Sequence, residues 1–209
     1  MIQIRKSPIH GLGVFALEDI KKGTLLHSGH YFVNNSRVRI KYTGYYNYSE
    51  EPNCWFKLYN SKYNGIKFWH NRIYTQKDIK KGEELTLKYT WYNPTDENDK
   101  EKNYNPLPDY LTIKPMYIYS YLQTKIDIKE NTEIEVPAAL YLKGPNKWIY
   151  STVGYFVKQQ DKFNCILVRR NKKCFLKTIK NISKDELLTI SKEELQKTIG
   201  PNEYILSKP

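Results

Sequence analysis

Four blocks of this chain occur twice and in the same order, and this duplication limits the possible folds more than any other feature of the sequence. Asp19-Ile20-Lys21-Lys22-Gly23-Thr24-Leu25-Leu26 is echoed by Asp127-Ile128-Lys129-Glu130-Asn131-Thr132-Glu133-Ile134, Gly44-Tyr45-Tyr46 by Gly154-Tyr155-Phe156, and Asn53-Cys54 by Asn164-Cys165. The fourth block, Asp78 to Leu87 (DIKKGEELTL), returns as Asn181 to Ile190 (NISKDELLTI), with a shorter loop before it. A repeat of this length predicts two related units within the 209 residues, each with a small core of its own. Between them, residues 93–109 (NPTDENDKEKNYNPLPD) combine charge with three prolines and no apolar periodicity, the pattern of a linker.

On both sides of the linker the apolar residues fall in short runs. Ile66 to Trp69, Leu85 to Leu87, Ile113 to Leu122 and Cys165 to Val168 are β-branched or aromatic and are bounded by Gly, Asn and Asp, which predicts strands. Helix is scarce. The clearest candidate is C-terminal, where Ser191 stands three residues before Glu194 in a capping-box pattern and Gly200 would close the helix.

Composition excludes several classes. With 40% hydrophobic and 27% charged residues, the chain can bury enough apolar surface to offset its conformational entropy, which argues against disorder. No apolar run approaches 18 residues and the N-terminus lacks a hydrophobic stretch, so no membrane span and no usual secretion signal are expected. Three cysteines without a CxxC pair fit neither a disulfide framework nor a structural zinc site. No metal is expected, and the expected location is cytoplasmic or nuclear. His10, His27, His30 and His70 make no ligand spacing with the cysteines and read as structural or surface residues.

The net charge of +12 suits an anionic partner such as nucleic acid, but a bias towards A/T-rich codons would produce the same surplus of lysine. Only six of the 34 cationic residues are arginine, and the charge is spread evenly over the two halves.

The first half carries chemistry in an ordered set of blocks. Ser7-Pro8-Ile9-His10-Gly11-Leu12-Gly13-Val14-Phe15-Ala16 opens it, with glycines that allow close backbone approach and positive φ. Asn47-Tyr48-Ser49-Glu50-Glu51-Pro52-Asn53 follows, then Arg72 to Leu85, then Thr86-Leu87-Lys88-Tyr89. In this order the blocks resemble the SET domain, the β-rich fold of protein lysine methyltransferases, over residues 5–92. The resemblance implies a mainly β protein: a SET-type β-clip of short strands and small sheets over 1–92, a linker over 93–109, and a degenerate SET-like β-rich module over 110–209. The second half lacks the glycine pair, the Asn-x-Ser and a tyrosine matching Tyr89, so it reads as a module for docking or dimerisation and not as a second active site.

The family's pattern also implies roles. S-adenosyl-L-methionine would be held by Gly11, Leu12, Gly13, Asn47 and Tyr48, with Trp91 or Tyr92 stacking on its adenine, and Tyr89 would be the catalytic tyrosine. Tyr42, Tyr45 and Tyr46 would wall the channel for the substrate lysine, while Glu84 and Leu85 close the sheet. A lysine of pKa ~10.4 must lose its proton before methyl transfer, at a cost of about 4–5 kcal/mol at pH 7. An apolar channel beside a sulfonium cation lowers that cost by desolvation and like-charge repulsion. A tyrosine of pKa ~10 is a poor base at pH 7, so Tyr89 is expected to orient and not to deprotonate.

The sequence departs from the signature at two places: Tyr48 stands where the family has His, and Glu50 where it has Cys. The Cys-rich zinc extension that often follows the SET core is also absent. The expected function is an S-adenosylmethionine-dependent protein-lysine N-methyltransferase with a protein substrate. A nucleosome held through its DNA, or an acidic non-histone protein, would suit the charge. Two other readings stay open: a catalytically inactive SET-like binding module, and a ligand-binding β-clip of the SAF type.

Overall fold

The computed structural model describes residues 2–33, 36–63, 66–89, 107–116, 119–142 and 147–199. The chain is mainly β, in small sheets, as the alternating and β-branched runs require. In the first half β1 (Ile2–Lys6), β2 (Leu12–Ala16), β3 (Leu25–Val33) and β4 (Ser36–Arg39) lead to a single 3₁₀ turn at Thr43–Tyr45. β5 (Asn47–Tyr48), β6 (Cys54–Tyr63), β7 (Ile66–Thr75) and β8 (Glu84–Leu87) complete it. They form two four-stranded sheets, ordered β1-β2-β8-β5 and β4-β3-β7-β6.

The second half runs through β9 (Leu111–Met116), β10 (Tyr119–Thr124), β11 (Ala139–Leu142) and β12 (Lys147–Tyr150) to a short helix, α1 (Thr152–Phe156). β13 (Lys158–Gln159), β14 (Cys165–Arg170), β15 (Lys173–Thr178), β16 (Thr189–Ile190) and α2 (Lys192–Ile199) follow. The run from Ile113 to Leu122, expected as strand, is a hairpin of β9 and β10. The Ser191 hydroxyl accepts from the Glu194 amide at 2.9 Å, so α2 starts at the capping box. Gly200 and most of the proposed linker lie outside the described residues.

The repeated blocks occupy matching hydrogen-bonded positions. Ile20 bridges Ile79 in the first half and Ile128 bridges Ile182 in the second. The Thr75 hydroxyl donates to the Lys21 carbonyl at 2.7 Å, and Thr178 donates to the Lys129 carbonyl at 2.7 Å. Asp19 accepts from the Lys81 amide and Asp78 from the Lys22 amide; Asp127 and Asn181 accept from the Lys184 and Glu130 amides in the same way. Gly23 and Gly82 turn with φ of +82° and +86°. Their counterparts, Asn131 and Asp185, hold +65° and +67°, and these residue types tolerate the left-handed region best after glycine. Two short parallel pairs also match, β5 with β8 and β13 with β16.

These parallel pairs align Asn47 with Lys158, and so Tyr45 with Phe156 and Tyr46 with Val157, one residue away from the Gly44/Gly154 echo in the sequence. The reason is local: a 3₁₀ turn precedes β5, whereas a longer α-helical turn precedes β13. Equivalent elements also face each other. β1 packs on β9, the Tyr45 and Phe156 rings meet edge-on at 6.5 Å, and the Gln3 amide donates to the Tyr119 carbonyl. The same patches meet each other, as in a two-fold dimer, but within one chain. One apolar core runs through both halves, from Ile4 and Val14 to Leu176 and Ile190. Cys54, Cys165 and Cys174 are buried free thiols within it. No helix among the described residues is long and apolar enough to cross a membrane.

Candidate functional site

The hairpin turn between β1 and β2 is held from one side by a serine. Ser7 Oγ accepts from the Ile9 and His10 amides at 2.9 and 3.3 Å, and the Ser7 amide donates to the Gly11 carbonyl. This turn puts Gly11 at φ +50° with open space where a side chain would be. The Asn47 amide nitrogen then reaches across from β5. It lies 2.9 Å from Ser7 Oγ, 3.2 Å from the His10 carbonyl, 3.3 Å from the Leu12 carbonyl and 2.7 Å from Glu84 Oε1. Two protons are shared among four acceptors, so the glycine loop, β5 and β8 are pinned to one buried side chain.

Glu84 does more here than close the sheet. The Ser7 hydroxyl donates to its carboxylate at 2.9 Å, and a Cβ built on Gly13 would lie 2.1 Å from Glu84 Oε1. Gly13 is therefore glycine because Glu84 lies against β2. From its sequence context Gly13 is expected to serve close approach to a cofactor instead, and Ser7 has no expected role; its spacing to Gly11 is the one sequence signal of its part in the turn.

Tyr89 lies beside this cluster. Its hydroxyl donates to the Tyr46 carbonyl at 2.5 Å, so towards any other group that oxygen can only accept. The Tyr48 ring tilts against the Tyr89 ring at 5.4 Å. The Tyr48 hydroxyl is bonded to Glu50, whose other oxygen is 2.7 Å from Lys88 Nζ. Lys88 holds the Glu50 carboxyl below the usual carboxylate range, and Glu50 raises the Tyr48 hydroxyl.

The three tyrosines expected to wall a channel divide. Tyr45 and Tyr46 are buried, and burial raises both hydroxyls far above 10. The Tyr45 and Tyr42 rings pack edge-on against Phe156 of α1, at the junction of the two halves. The Tyr46 ring meets His27, leaving only its carbonyl at Tyr89. His27 Nδ1 faces the Ser28 carbonyl at 2.7 Å and must donate to it, so Nε2 accepts the Tyr46 proton at 3.0 Å. Burial pushes this imidazole down to about 4, so it is neutral at pH 7. Trp91 and Tyr92 lie outside the described residues. Among the described residues no group of His, Cys, Asp and Glu side chains could hold a metal ion.

In the second half the positions matching this cluster hold different residues. Lys158 stands at the place of Asn47, and its ammonium lies 5.4 Å from the centre of the Tyr121 ring. The bridge Gln123 to Leu187 matches the pair Phe15 to Glu84, which puts Leu187 in the position of Glu84. The amide, the carboxylate and the glycine of the first cluster have no counterpart there.

No curated protein matches the chain. Residues 27–90 match the family model described as the SET domain. Similar solved structures include a candidate histone methyltransferase of Plasmodium falciparum, PFL0690c, at 24% identity and a TM-score of 0.38, covering 44% of this chain and 100% of that one. A humanized mutant of the Chaetomium thermophilum Polycomb Repressive Complex 2, bound to the inhibitor GSK126, is 22% identical with a TM-score of 0.34, over 43% of this chain and 15% of that one. Residues 27–90, set within the mainly β architecture of the N-terminal half, thus carry a SET domain.

Proposed function

We propose that the chain is a protein-lysine N-methyltransferase whose methyl donor is S-adenosyl-L-methionine. The observation that carries this is the Tyr89 to Tyr46 hydrogen bond, which fixes the tyrosine hydroxyl one residue from Asn47 and its loop. The residues fit the donor: Gly11 leaves open space over a left-handed turn, and the His10 and Leu12 carbonyls and the Glu84 carboxylate gather acceptors suited to an ammonium group. Gly11, Leu12, Gly13, Asn47 and Tyr48 would hold it there. When bound, the donor supplies an electrophilic methyl on a sulfonium.

The rest is the work of the chain. With its own proton committed to Tyr46, Tyr89 Oη offers lone pairs to an electron-poor C–H or N–H donor and so aligns the reacting groups. Such alignment, with a desolvated lysine, accounts for rate without a protein base. The second half is proposed as a degenerate SET-like copy over 110–209, docked on the first through Phe156 and β9, with no donor site of its own. The substrate of the catalytic half would be a nucleosome held through its DNA, or an acidic non-histone protein.

A second reading is a SET-like binding module without turnover, favoured by the Tyr48 hydroxyl being spent on Glu50. Calorimetry on the full chain with S-adenosylmethionine, followed by mass spectrometry of protein substrates, separates the two. One donor per chain and methylated lysine are expected. Binding without any methylated product would leave the second reading, and two donors per chain would overturn the assignment of the second half.

A further inference from the structure

The even charge of the two halves conceals a segregation in space. No Asp or Glu occurs in residues 20–49 or 52–77, so the sheet β4-β3-β7-β6 contains none, while its strands carry Arg37, Arg39, Lys57, Lys62, Lys67 and Arg72. The sheet β12-β11-β15-β14 of the second half is equally free of acids. The two differ in aromatic content: the first sheet holds nine Phe, Tyr and Trp residues, seven of them on β6 and β7, and the second holds four, with Phe175 alone on β14 and β15.

The register places part of that content in one outward row. Cys54 and Phe56 turn to the core, so Trp55 and Lys57, opposite Tyr74 and Arg72, turn away from it; the half-buried Tyr59 pairs with His70, which is buried. Trp55 stacks on Tyr74 at 5.4 Å with 42% of its surface exposed. The Tyr59 and Tyr74 hydroxyls bond at 2.8 Å, and Tyr59 stacks on His70 at 5.7 Å. Arg72 lies 5.1 Å and Lys57 5.6 Å from the centre of the Tyr59 ring. Neither cation takes part in an ion pair among the described residues.

We infer that this face, centred on Trp55, Lys57, Tyr59 and Arg72, is a platform for single-stranded nucleic acid. Flat rings interleaved with cations match unstacked bases joined by phosphates, because every base offers a π-face and every linkage a charge. Duplex DNA keeps its base faces covered and would meet only the cations. An acidic peptide would use the cations and leave the rings bare. A methylated lysine is repelled by Lys57 and Arg72, which already lie over Tyr59.

The test uses the full chain and a fluorescein-labelled 15-mer of deoxythymidine, followed by anisotropy and tryptophan quenching, with no methyl donor present. Its failure therefore leaves the transferase reading untouched, and the converse holds too. Binding is expected with a log–log salt slope of about −1.4, two phosphates at about −0.7 each. Trp55→Ala should weaken it about tenfold, in the range found for one stacked base. Lys57→Glu, whose side chain is in solvent, should weaken it as well and serves if Trp55→Ala fails to fold. Lys173→Glu, on the acid-free but aromatic-poor sheet, should change it less than twofold. Equal losses in Lys57→Glu and Lys173→Glu would reduce the effect to net charge and overturn the proposal. So would a duplex of the same length binding as tightly, polyglutamate competing equally well, or no binding at all.

Discussion

The Tyr48 hydroxyl donates to the Glu50 carboxylate, and these are the two positions at which the chain departs from the SET signature. The departures are thus coupled: a hydroxyl where the family has an imidazole meets a carboxylate where it has a thiol. Lys88, from the segment after β8, completes the chain of contacts. All of this is on the surface, where such bonds contribute little to stability. The ring of Tyr48, not its hydroxyl, faces Tyr89. Tyr48→Phe should therefore bind S-adenosylmethionine within about twofold of the parent by calorimetry. Tyr48→Ala, which removes an aromatic pair worth about 0.5–1.5 kcal/mol, should weaken it by roughly two- to tenfold. Equal losses in the two variants would place the hydroxyl itself in the site.

Tyr89→Phe removes one donated hydrogen bond and keeps the ring. The net cost to folding is about 1 kcal/mol, so the variant should remain folded and keep its donor affinity. Turnover should fall at least about tenfold, or the number of methyl groups added should change, because the oxygen fixed by the Tyr46 carbonyl is gone. Parent kinetics and parent products in this variant would remove Tyr89 from the mechanism.

Gly13 and Glu84 should be energetically coupled. Gly13→Val must displace the Glu84 carboxylate, since even a Cβ would come within 2.1 Å of it, and Asn47 and Ser7 would lose their shared acceptor. Loss of donor binding and a lowered melting temperature are expected together. In a cycle of Gly13→Ala with Glu84→Ala, the double variant should be more stable than the sum of the singles by about 1 kcal/mol or more. Strict additivity would show that the two residues do not meet.

The strand runs and the repeated turns could be read in the sequence because each depends on local chemistry: β-branched runs, and Asp-Ile-Lys-Lys-Gly turns with their positive φ. The blocks of the site were legible as a set, but the contacts within it were not. Ser7 and Glu84 are 77 residues apart and meet only through the β2 to β8 pairing, which no periodicity reveals. The three tyrosines before Asn47 read as one group. The fold divides them, because Phe156 from the other half covers Tyr42 and Tyr45 while His27 takes Tyr46.

The two halves offer a matched pair of substitutions. Asn53 accepts from the Thr86 amide at 2.8 Å and donates to the Glu84 carbonyl at 2.7 Å. Asn164 accepts from the Thr189 amide at 2.8 Å and donates to the Leu187 carbonyl at 2.8 Å. Replacing either with Ala leaves buried backbone groups unpaired and should cost roughly 2 kcal/mol or more in chemical denaturation. Only Asn53→Ala should also weaken donor binding, because its partners lie on the strand that carries Glu84. Weakened binding in Asn164→Ala would mean that the second half shapes the site directly.

The last prediction concerns acid. His27 is buried and neutral, its Nδ1 proton on the Ser28 carbonyl and its Nε2 accepting from Tyr46, with the Tyr42 ring 5.5 Å away. Burial lowers its pKa to about 4, and the nearby Lys41 ammonium acts in the same direction. Because an unfolded histidine titrates near 6.5, the unfolded chain binds more protons than the native one between those values, and stability must rise with pH across that window. The contribution is complete above pH 6.5 and is lost as the pH falls towards 4, amounting to at most roughly 3 kcal/mol. His27→Gln keeps an acceptor for Tyr46 but cannot titrate. Denaturation curves should therefore show the variant losing less stability than the parent between pH 6.5 and 4, with the carboxylate contributions common to both. Parallel pH profiles for the two proteins would show that His27 already carries its proton in the folded state.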